Sequence, residues 1–183
     1  MIIISGPRCA GKTVLGQHLA HALGARHIEA SDLMRKLWSK DGLLGESLDD
    51  FALRTLETNP CAVPNELRRA FAFDRNLVLT GLRSANEVSC IKRFPDVSPL
   101  VVYVDADRHI RVARCADRGR NDTADVDLDG MLIHDSLHIA MGLNDIRSLP
   151  DVIIIKNNSS SLANYFRAAE ESLSLVGCRL TNN

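Results

Sequence analysis

A segment near the amino terminus has the residue types and the spacing that bind phosphate groups. Its eight residues, GPRCAGKT from Gly6 to Thr13, match the pattern GxxxxGK[ST] at every fixed position. The glycines of such a loop let successive backbone N–H groups curl round phosphate oxygens. The lysine reaches the outer phosphates of a nucleotide, and the hydroxyl that follows it holds Mg²⁺. We therefore predict that Lys12 and Thr13 bind ATP together with Mg²⁺.

The predicted ATP-binding set covers this loop and the first residues after it. Cys9 lies inside the loop, where a thiol is either a small buried filler or a group activated by the helix N-terminus. A turn that is merely rich in small residues is the competing interpretation of the whole segment. The predicted set in this region is Gly6, Arg8, Cys9, Ala10, Gly11, Lys12, Thr13 and Val14.

The segments on either side of the loop have the patterns of elements that would position it. Residues Met1–Ser5 form an apolar, β-branched run typical of a buried strand, and a glycine ends it. Residues Thr13–Leu23 have apolar side chains at helical spacing, and Gly24 stops that helix. A helix that starts at the loop directs the positive end of its dipole at bound phosphate.

The alternation of strand and helix patterns continues along the chain. Strands separated by helices imply right-handed βαβ units and a parallel sheet covered on both faces. The sequence therefore predicts an α/β fold with a five-stranded parallel sheet flanked by helices. The predicted strands are Met1–Ser5, His27–Ala30, Leu77–Thr80, Leu100–Val104 and Val152–Ile155. The predicted helices are Thr13–Leu23, Asp32–Trp38, Leu48–Glu57, Asn65–Phe73, Asp107–Arg118 and Leu162–Leu175.

Length and composition restrict the classes of partner. The chain has 183 residues, which suits one domain. Its 22 basic and 23 acidic residues nearly cancel, so neither DNA nor a membrane is an expected partner. The start, MIIISGPR, lacks the charged region and the cleavage site of a secretory signal. The five cysteines form no CxxC pair, and we predict that they are reduced thiols in a cytoplasmic protein.

The segment from Ile28 to Arg35, IEASDLMR, resembles the nucleoside monophosphate kinase group of P-loop kinases. In the matching adenylate-kinase stretch, an Asp and an Arg open the acceptor-nucleotide site. The resemblance implies that Asp32 and Arg35 bind the acceptor, with Arg35 on its phosphate. We also predict Asp32 as the catalytic carboxylate, which accepts the proton if the acceptor is an alcohol. A capped helix, with Ser31 or Asp32 as the N-cap, explains the same residues without a function.

A second segment, LVLTGLRS from Leu77 to Ser84, is similar to archaeal adenylate-kinase-like, dephospho-CoA-kinase-like and phage deoxynucleotide kinases. The similarity implies that Gly81 lets the acceptor lie against the backbone and that Arg83 binds its phosphate. Those families have an Asp where this chain has Thr80, and that carboxylate orients Mg²⁺ and its waters. Asp105, at the end of the fourth predicted strand, is a candidate to replace it.

A third segment, DRHIRVARCADRGR from Asp107 to Arg120, looks like the helix and lid of the same group. Arginines at three- and four-residue spacing repel one another unless an anion or an acid neutralises them. The resemblance implies that Arg118 and Arg120 close over the transferring phosphoryl group and bind ATP, and that Arg111 binds substrate. A solvated face, with Asp107 and Asp117 as partners, is the alternative. It explains Arg111 and Arg114 as well as phosphate binding does, whereas phosphate binding is favoured for Arg118 and Arg120.

The carboxy-terminal part carries two weaker signals. The stretch from Pro150 to Ser159 resembles the end of the archaeal proteins, which implies that Asn157 contacts the donor adenine, although turn chemistry explains it equally well. His134 and His138 are four residues apart on a predicted helix, a spacing that suits a metal pair. The sequence offers no third ligand near them, so we predict no zinc site.

Together these resemblances imply a P-loop NTPase fold in one domain over residues 1–183. Residues 36–73 would form an acceptor-binding helical segment, and residues 108–145 a lid region. The implied activity transfers the γ-phosphate of ATP to a nucleoside or deoxynucleoside monophosphate, a small-molecule partner. A nucleoside-like alcohol (dephospho-CoA, a nucleoside or a modified base in DNA) is the alternative acceptor, and a non-catalytic nucleotide-binding module is the alternative function. The oligomeric state, a homodimer included, stays open.

Overall fold

In residues 1–71, 76–117 and 127–175, which the computed structural model describes, five parallel strands form one sheet. The strands are β1 Ile2–Ser5, β2 Arg26–Glu29, β3 Leu77–Thr80, β4 Leu100–Asp105 and β5 Val152–Lys156. Their order is β2-β3-β1-β4-β5, so the strand before the phosphate loop lies in the middle. Ligands of open parallel sheets bind beyond the carboxyl ends of such strands. The predicted fold class is confirmed.

Helices cover both faces of this sheet. They are α1 Lys12–Ala22, α2 Ala30–Asp41, α3 Leu48–Thr58, α4 Ala62–Ala70, α5 Ala85–Lys92, α6 Arg108–Asp117, α7 Leu128–Ala140, α8 Leu143–Arg147 and α9 Leu162–Ser174. Of the helices in the described ranges, none has the length and apolar composition that crossing a membrane requires.

Apolar side chains pack on both faces of the sheet, which is why the strand segments are short continuous apolar runs. On one face, Ile4 of β1 packs in a cluster with Leu15 of α1. On the other face, Ile3 and Leu79 pack in a cluster with Val88 of α5. The central strands are therefore held from both sides, and their carboxyl ends are fixed relative to one another.

The segment between β2 and β3 forms a helical layer from α2, α3 and α4. An ion pair between Lys36 and Glu66 joins α2 to α4. Arg54 of α3 donates two hydrogen bonds, of 2.7 and 2.8 Å, to the carboxylate of Glu46 in the preceding loop. These contacts brace the helices that we predicted as the acceptor-binding segment.

Helix α4 begins three residues before the predicted start at Asn65. Pro64 lies in the first turn of this helix. Proline is tolerated in a first turn because the N–H groups of that turn have no partner within the helix.

The cysteines differ from the prediction of reduced thiols. The structure joins Cys9 to Cys115, with 5.8 Å between their Cα atoms. It also joins Cys61 to Cys90, with 5.6 Å between their Cα atoms. Sequence spacing did not indicate these pairs, because 106 and 29 residues separate the partners and only the fold brings them together.

Candidate functional site

The loop between β1 and α1 has the backbone shape of an anion-binding nest. Gly6 has a φ of 138° and Gly11 a φ of 102°, and Cys9 lies in the left-handed region at 59°. A Cβ on Gly6 would lie 2.1 Å from the carbonyl oxygen of Val104. The Nζ of Lys12 donates a hydrogen bond of 2.7 Å to the carbonyl of Pro7, across the mouth of the loop. This shape turns backbone N–H groups inward and fits the phosphates of a nucleotide.

Buried polar groups support the loop from below. The amide of Asn157 donates 2.8 Å to the carbonyl of Ala10, and the hydroxyl of Tyr165 donates 3.3 Å to the carbonyl of Gly11. Arg114 donates in turn to the backbone and side-chain oxygens of Asn157, at 3.0 and 3.2 Å. Asn157 is 3% exposed. The structure therefore places its side chain under the loop, in contrast to the predicted contact with adenine.

Arg111 is also held inside the protein. It is 4% exposed, and its guanidinium donates two hydrogen bonds, of 2.9 and 2.6 Å, to the carboxylate of Asp135 in α7. The same guanidinium donates 3.2 Å to the carbonyl of Arg8 in the loop. This placement differs from the predicted substrate contact, because the buried carboxylate neutralises the charge. Arg111 therefore supports the loop from the side of α6.

A cavity of about 370 Å³ opens in front of the loop at the carboxyl edge of the sheet. Four cationic side chains and two carboxylates line it, together with two histidines from α7. The excess of positive charge suits an anionic ligand. The charged and imidazole residues of the lining are Arg8, Lys12, Arg35, Arg83, Glu29, Asp49, His134 and His138.

A chain of polar contacts crosses the end of the cavity that faces α3. The Nη1 of Arg83 lies 3.4 Å from Oδ1 of Asp49, at the start of α3. The other oxygen of Asp49 lies 3.8 Å from Nδ1 of His134, whose Nε2 lies 3.1 Å from Nη1 of Arg8. These contacts link α3, α7 and the loop between β1 and α1, so a ligand that binds Arg83 must compete with Asp49.

His138 lies beside the same cations and is buried. Burial lowers its pKa to about 2, and the nearby positive charges of Arg83, Lys12 and Arg8 act in the same direction. The imidazole is therefore neutral at pH 7, and it offers one hydrogen-bond donor and one acceptor. Among the described residues, no group of three metal-ligating side chains comes together.

The turn after β3 holds Arg83 at the cavity. Gly81 has a φ of 93°, and a Cβ there would lie 4.0 Å from Ala30, so the backbone is open to a ligand. The backbone N–H groups of Arg83 and Ser84 donate to the carboxylate of Glu87, at 2.8 and 3.0 Å. Burial raises the pKa of Glu87 to about 7 in spite of these two donors. Ser84 and Glu87 form a capping box at the start of α5. This capping box fixes the backbone position of Arg83 and hence the point from which its side chain extends.

Asp32 lies on the outer side of α2. Its side chain is 70% exposed and accepts a hydrogen bond of 2.9 Å from Arg35. Arg35 lines the cavity, whereas the described lining does not include Asp32. The carboxylate that reaches the cavity from this region is Glu29, the last residue of β2.

Of the predicted site residues, one group meets at the cavity and another supports it or lies elsewhere. Arg118 and Arg120 fall outside the described residues. The predicted residues that line the cavity are Gly6, Arg8, Cys9, Lys12, Thr13, Arg35, Gly81 and Arg83. The other predicted residues that the structure describes do not line the cavity; they are Ala10, Gly11, Val14, Asp32, Arg111 and Asn157.

Comparison with known proteins gives the family. Residues 2–127 match the model of the AAA domain family AAA_18. A UPF0200 protein of Saccharolobus solfataricus is 30% identical over 174 residues, which cover 93% of this chain and 90% of the relative. The chain belongs to the AAA_18 and UPF0200 families. A cytidylate kinase of Haloquadratum walsbyi is 28% identical over 124 residues, 64% of this chain and 58% of that protein.

Two solved structures that share this fold are described as kinases. A shikimate kinase from Acinetobacter baumannii, in complex with shikimate, has a TM-score of 0.57 at 19% identity and matches 98% of this chain and 94% of its own. A gluconokinase from Sinorhizobium meliloti has a TM-score of 0.58 at 17% identity, over 96% of this chain and 91% of its own. The resemblance to P-loop kinases is confirmed, and this member of the two families has a P-loop kinase-like fold.

Of the charged and imidazole residues that line the cavity, sequence reasoning missed four. Glu29 ends a predicted strand, and a carboxylate at the end of a parallel strand is a signal that was available. His134 and His138 were recognised only as a metal pair, because their spacing does not show what they face. Asp49 lies at the start of a predicted helix, where a solvated capping carboxylate has the same pattern.

Proposed function

We propose that this protein transfers the γ-phosphate of ATP to the phosphate of a nucleoside or deoxynucleoside monophosphate. The observation that carries the proposal is the single cavity that joins a complete phosphate loop to Arg35 and Arg83. Lys12 and the loop backbone bind the phosphates of ATP in this proposal. Arg35 and Arg83 bind the phosphate of the acceptor. The cytidylate kinase relative supports a nucleotide acceptor.

The donor set fits ATP with Mg²⁺. The nest shape of the loop accepts phosphate oxygens, and the hydroxyl of Thr13 lies on the first turn of α1 and lines the cavity. Thr13 would hold Mg²⁺ at this position, and the ion would supply positive charge to the phosphates during transfer. A monophosphate has its second pKa near 6 and is therefore ionised at pH 7, so this acceptor needs positioning rather than a base.

The helical segment 36–73 contributes Asp49 to the acceptor side, and we propose that it sets acceptor specificity. Residues 108–145 form the lid region in the proposal. Its described part supplies Arg111, which braces the loop, and the two histidines of α7. Arg118 and Arg120 keep their predicted role over the phosphoryl group as part of the proposal.

A hydroxyl acceptor is the second candidate, and Asp49 favours it. An alcohol reacts faster when a carboxylate accepts its proton. Asp49 lies at the acceptor end of the cavity beside His134, whereas the exposed Asp32 does not line it. If the acceptor is an alcohol, we therefore assign the base to Asp49 instead of Asp32.

The test is a phosphate-transfer screen with ATP and Mg²⁺ against nucleoside monophosphates, nucleosides and dephospho-CoA, in which ADP and phosphorylated product are measured together. Product from a monophosphate supports the first proposal, and product from alcohols alone supports the second. ATP binding without transfer to any acceptor contradicts both and favours a binding module.

Arg83→Met tests the acceptor assignment in the same assay. Loss of a charged hydrogen-bond donor is expected to raise the KM for the monophosphate about 10- to 100-fold while the KM for ATP stays unchanged. Arg167→Met removes an exposed arginine of α9 and is the matched control. An equal rise in both KM values would contradict the assignment.

A further inference from the structure

Thr80, where the kinase families that its segment resembles have an aspartate, makes its contacts inside the protein. Its side chain is 2% exposed. Its hydroxyl donates to the carbonyl of Ile28 at 3.4 Å and lies 3.0 Å from Nε2 of His27. Its methyl group lies against α1, since a Cβ on Gly16 would come within 2.5 Å of it. The hydroxyl carries no charge and already has two partners.

Glu29 lies beside Thr80 on the neighbouring strand. The two residues are register partners of β2 and β3, so their side chains leave the same face of the sheet. That face is the one on which α1 packs, and α1 begins with Lys12 and Thr13. Glu29 also lines the same cavity as Lys12 and Thr13.

Two other described carboxylates near this edge, Asp105 and Asp49, are engaged with arginines. Asp105, the candidate from the sequence, lies 3.4 Å from a guanidinium nitrogen of Arg147 and is not in the described lining of the cavity. Asp49 faces Arg83 at the acceptor end. Among the described contacts, Oε2 of Glu29 accepts a hydrogen bond of 3.3 Å from the hydroxyl of Ser31.

We infer that Glu29 replaces the missing aspartate of β3 and holds the water ligands of the Mg²⁺ that accompanies ATP. This inference rests on the proposed function. Mg²⁺ at phosphate sites keeps several waters and uses one or two carboxylates. A carboxylate on β2 can therefore reach the ion through a bound water, although it is one strand further away than a carboxylate on β3. Neighbouring strands lie about 4.8 Å apart. Glutamate is one methylene longer than aspartate, which offsets part of that distance.

The test measures metal affinity rather than turnover. Mn²⁺ is titrated into the protein with saturating ATP and followed by electron paramagnetic resonance. Glu29→Gln is expected to weaken Mn²⁺ binding about 10- to 100-fold, the usual effect of losing an outer-shell partner. ATP affinity in EDTA is expected to stay unchanged. The double variant Glu29→Gln/Thr80→Asp, which restores a carboxylate at the end of β3, is expected to recover Mn²⁺ affinity.

Asp105→Asn is the matched control, because it removes a carboxylate from the same edge of the sheet, and its Mn²⁺ affinity is expected to equal that of the wild type. Unchanged Mn²⁺ affinity in a folded Glu29→Gln variant overturns the inference. An equal loss of ATP affinity in EDTA also overturns it, because Glu29 would then shape the loop rather than hold the metal. Failure of the wild-type protein to bind ATP would instead refute the proposed function itself.

Discussion

Removal of the Asp135 carboxylate is expected to destabilise the protein strongly, because it leaves the buried guanidinium of Arg111 without a counter-charge. The two residues are 9% and 4% exposed and share two hydrogen bonds. Breaking a buried ion pair from one side costs about 3–5 kcal/mol of the free energy of unfolding. For a chain of this length that corresponds to a fall in Tm of about 6–20 °C.

The assay is urea unfolding of the wild type, Asp135→Ala and the double variant Arg111→Met/Asp135→Leu. The double variant is expected to recover most of the lost stability, because apolar side chains replace both charges. Arg108→Ala is the control: Arg108 lies 3.4 Å from the same carboxylate but is 46% exposed, so its loss is expected to cost less than about 1 kcal/mol. A loss below 1 kcal/mol in Asp135→Ala, or a double variant as unstable as the single one, would refute the reasoning.

The double variant Arg111→Met/Asp135→Leu also distinguishes the effect of Arg111 on the stability of the protein from its effect on the phosphate loop. It lacks the hydrogen bond of 3.2 Å from Arg111 to the carbonyl of Arg8. We therefore expect it to bind ATP more weakly than the wild type although it is folded, as measured by calorimetry. Wild-type ATP affinity in the double variant would show that Arg111 has no part in holding the loop.

Three further predictions follow from the loop and the cavity. Lys12→Ala is expected to lower the rate of transfer about 10²- to 10³-fold or more while circular dichroism shows the native fold, and full activity would contradict the assignment of the loop. Gly6→Ala is expected to lose more stability in urea unfolding than Gly24→Ala: both have positive φ, which costs about 1–2 kcal/mol, but only the Cβ at Gly6 would clash with the carbonyl of Val104, and equal losses would refute this argument. His138 has a pKa near 6.5 when unfolded and about 2 when folded, so below pH 6.5 the unfolded state binds more protons and the contribution of His138 to stability is lost as the pH falls. The free energy of unfolding of the wild type is therefore expected to fall relative to that of His138→Gln between pH 7 and pH 4. A difference that does not depend on pH would contradict the burial of a neutral imidazole.

The phosphate loop and the sheet could be predicted from the sequence because their signals are local. The loop pattern places glycines where backbone φ must be positive, and the structure has Gly6 and Gly11 in that region. The predicted apolar runs form strands of a sheet that is buried on both faces. The turn from Gly81 to Arg83 lies at the same edge of that sheet as the phosphate loop, and both line the cavity. Topology rules then brought these segments together, since the carboxyl ends of parallel strands share one edge.

What each polar side chain faces was decided by the tertiary structure. Asn157 and Ala10 are 147 residues apart, and Arg111 and Arg8 are 103 apart, yet each pair shares a hydrogen bond. An arginine on an amphipathic helix has the same local pattern whether it meets a ligand or a buried carboxylate such as Asp135. The sequence alone determined the shape of the loop that we propose binds phosphate, because backbone conformation depends on neighbouring residues. The fold alone determined which charges remain available to a ligand, because burial and pairing depend on residues far apart in the chain.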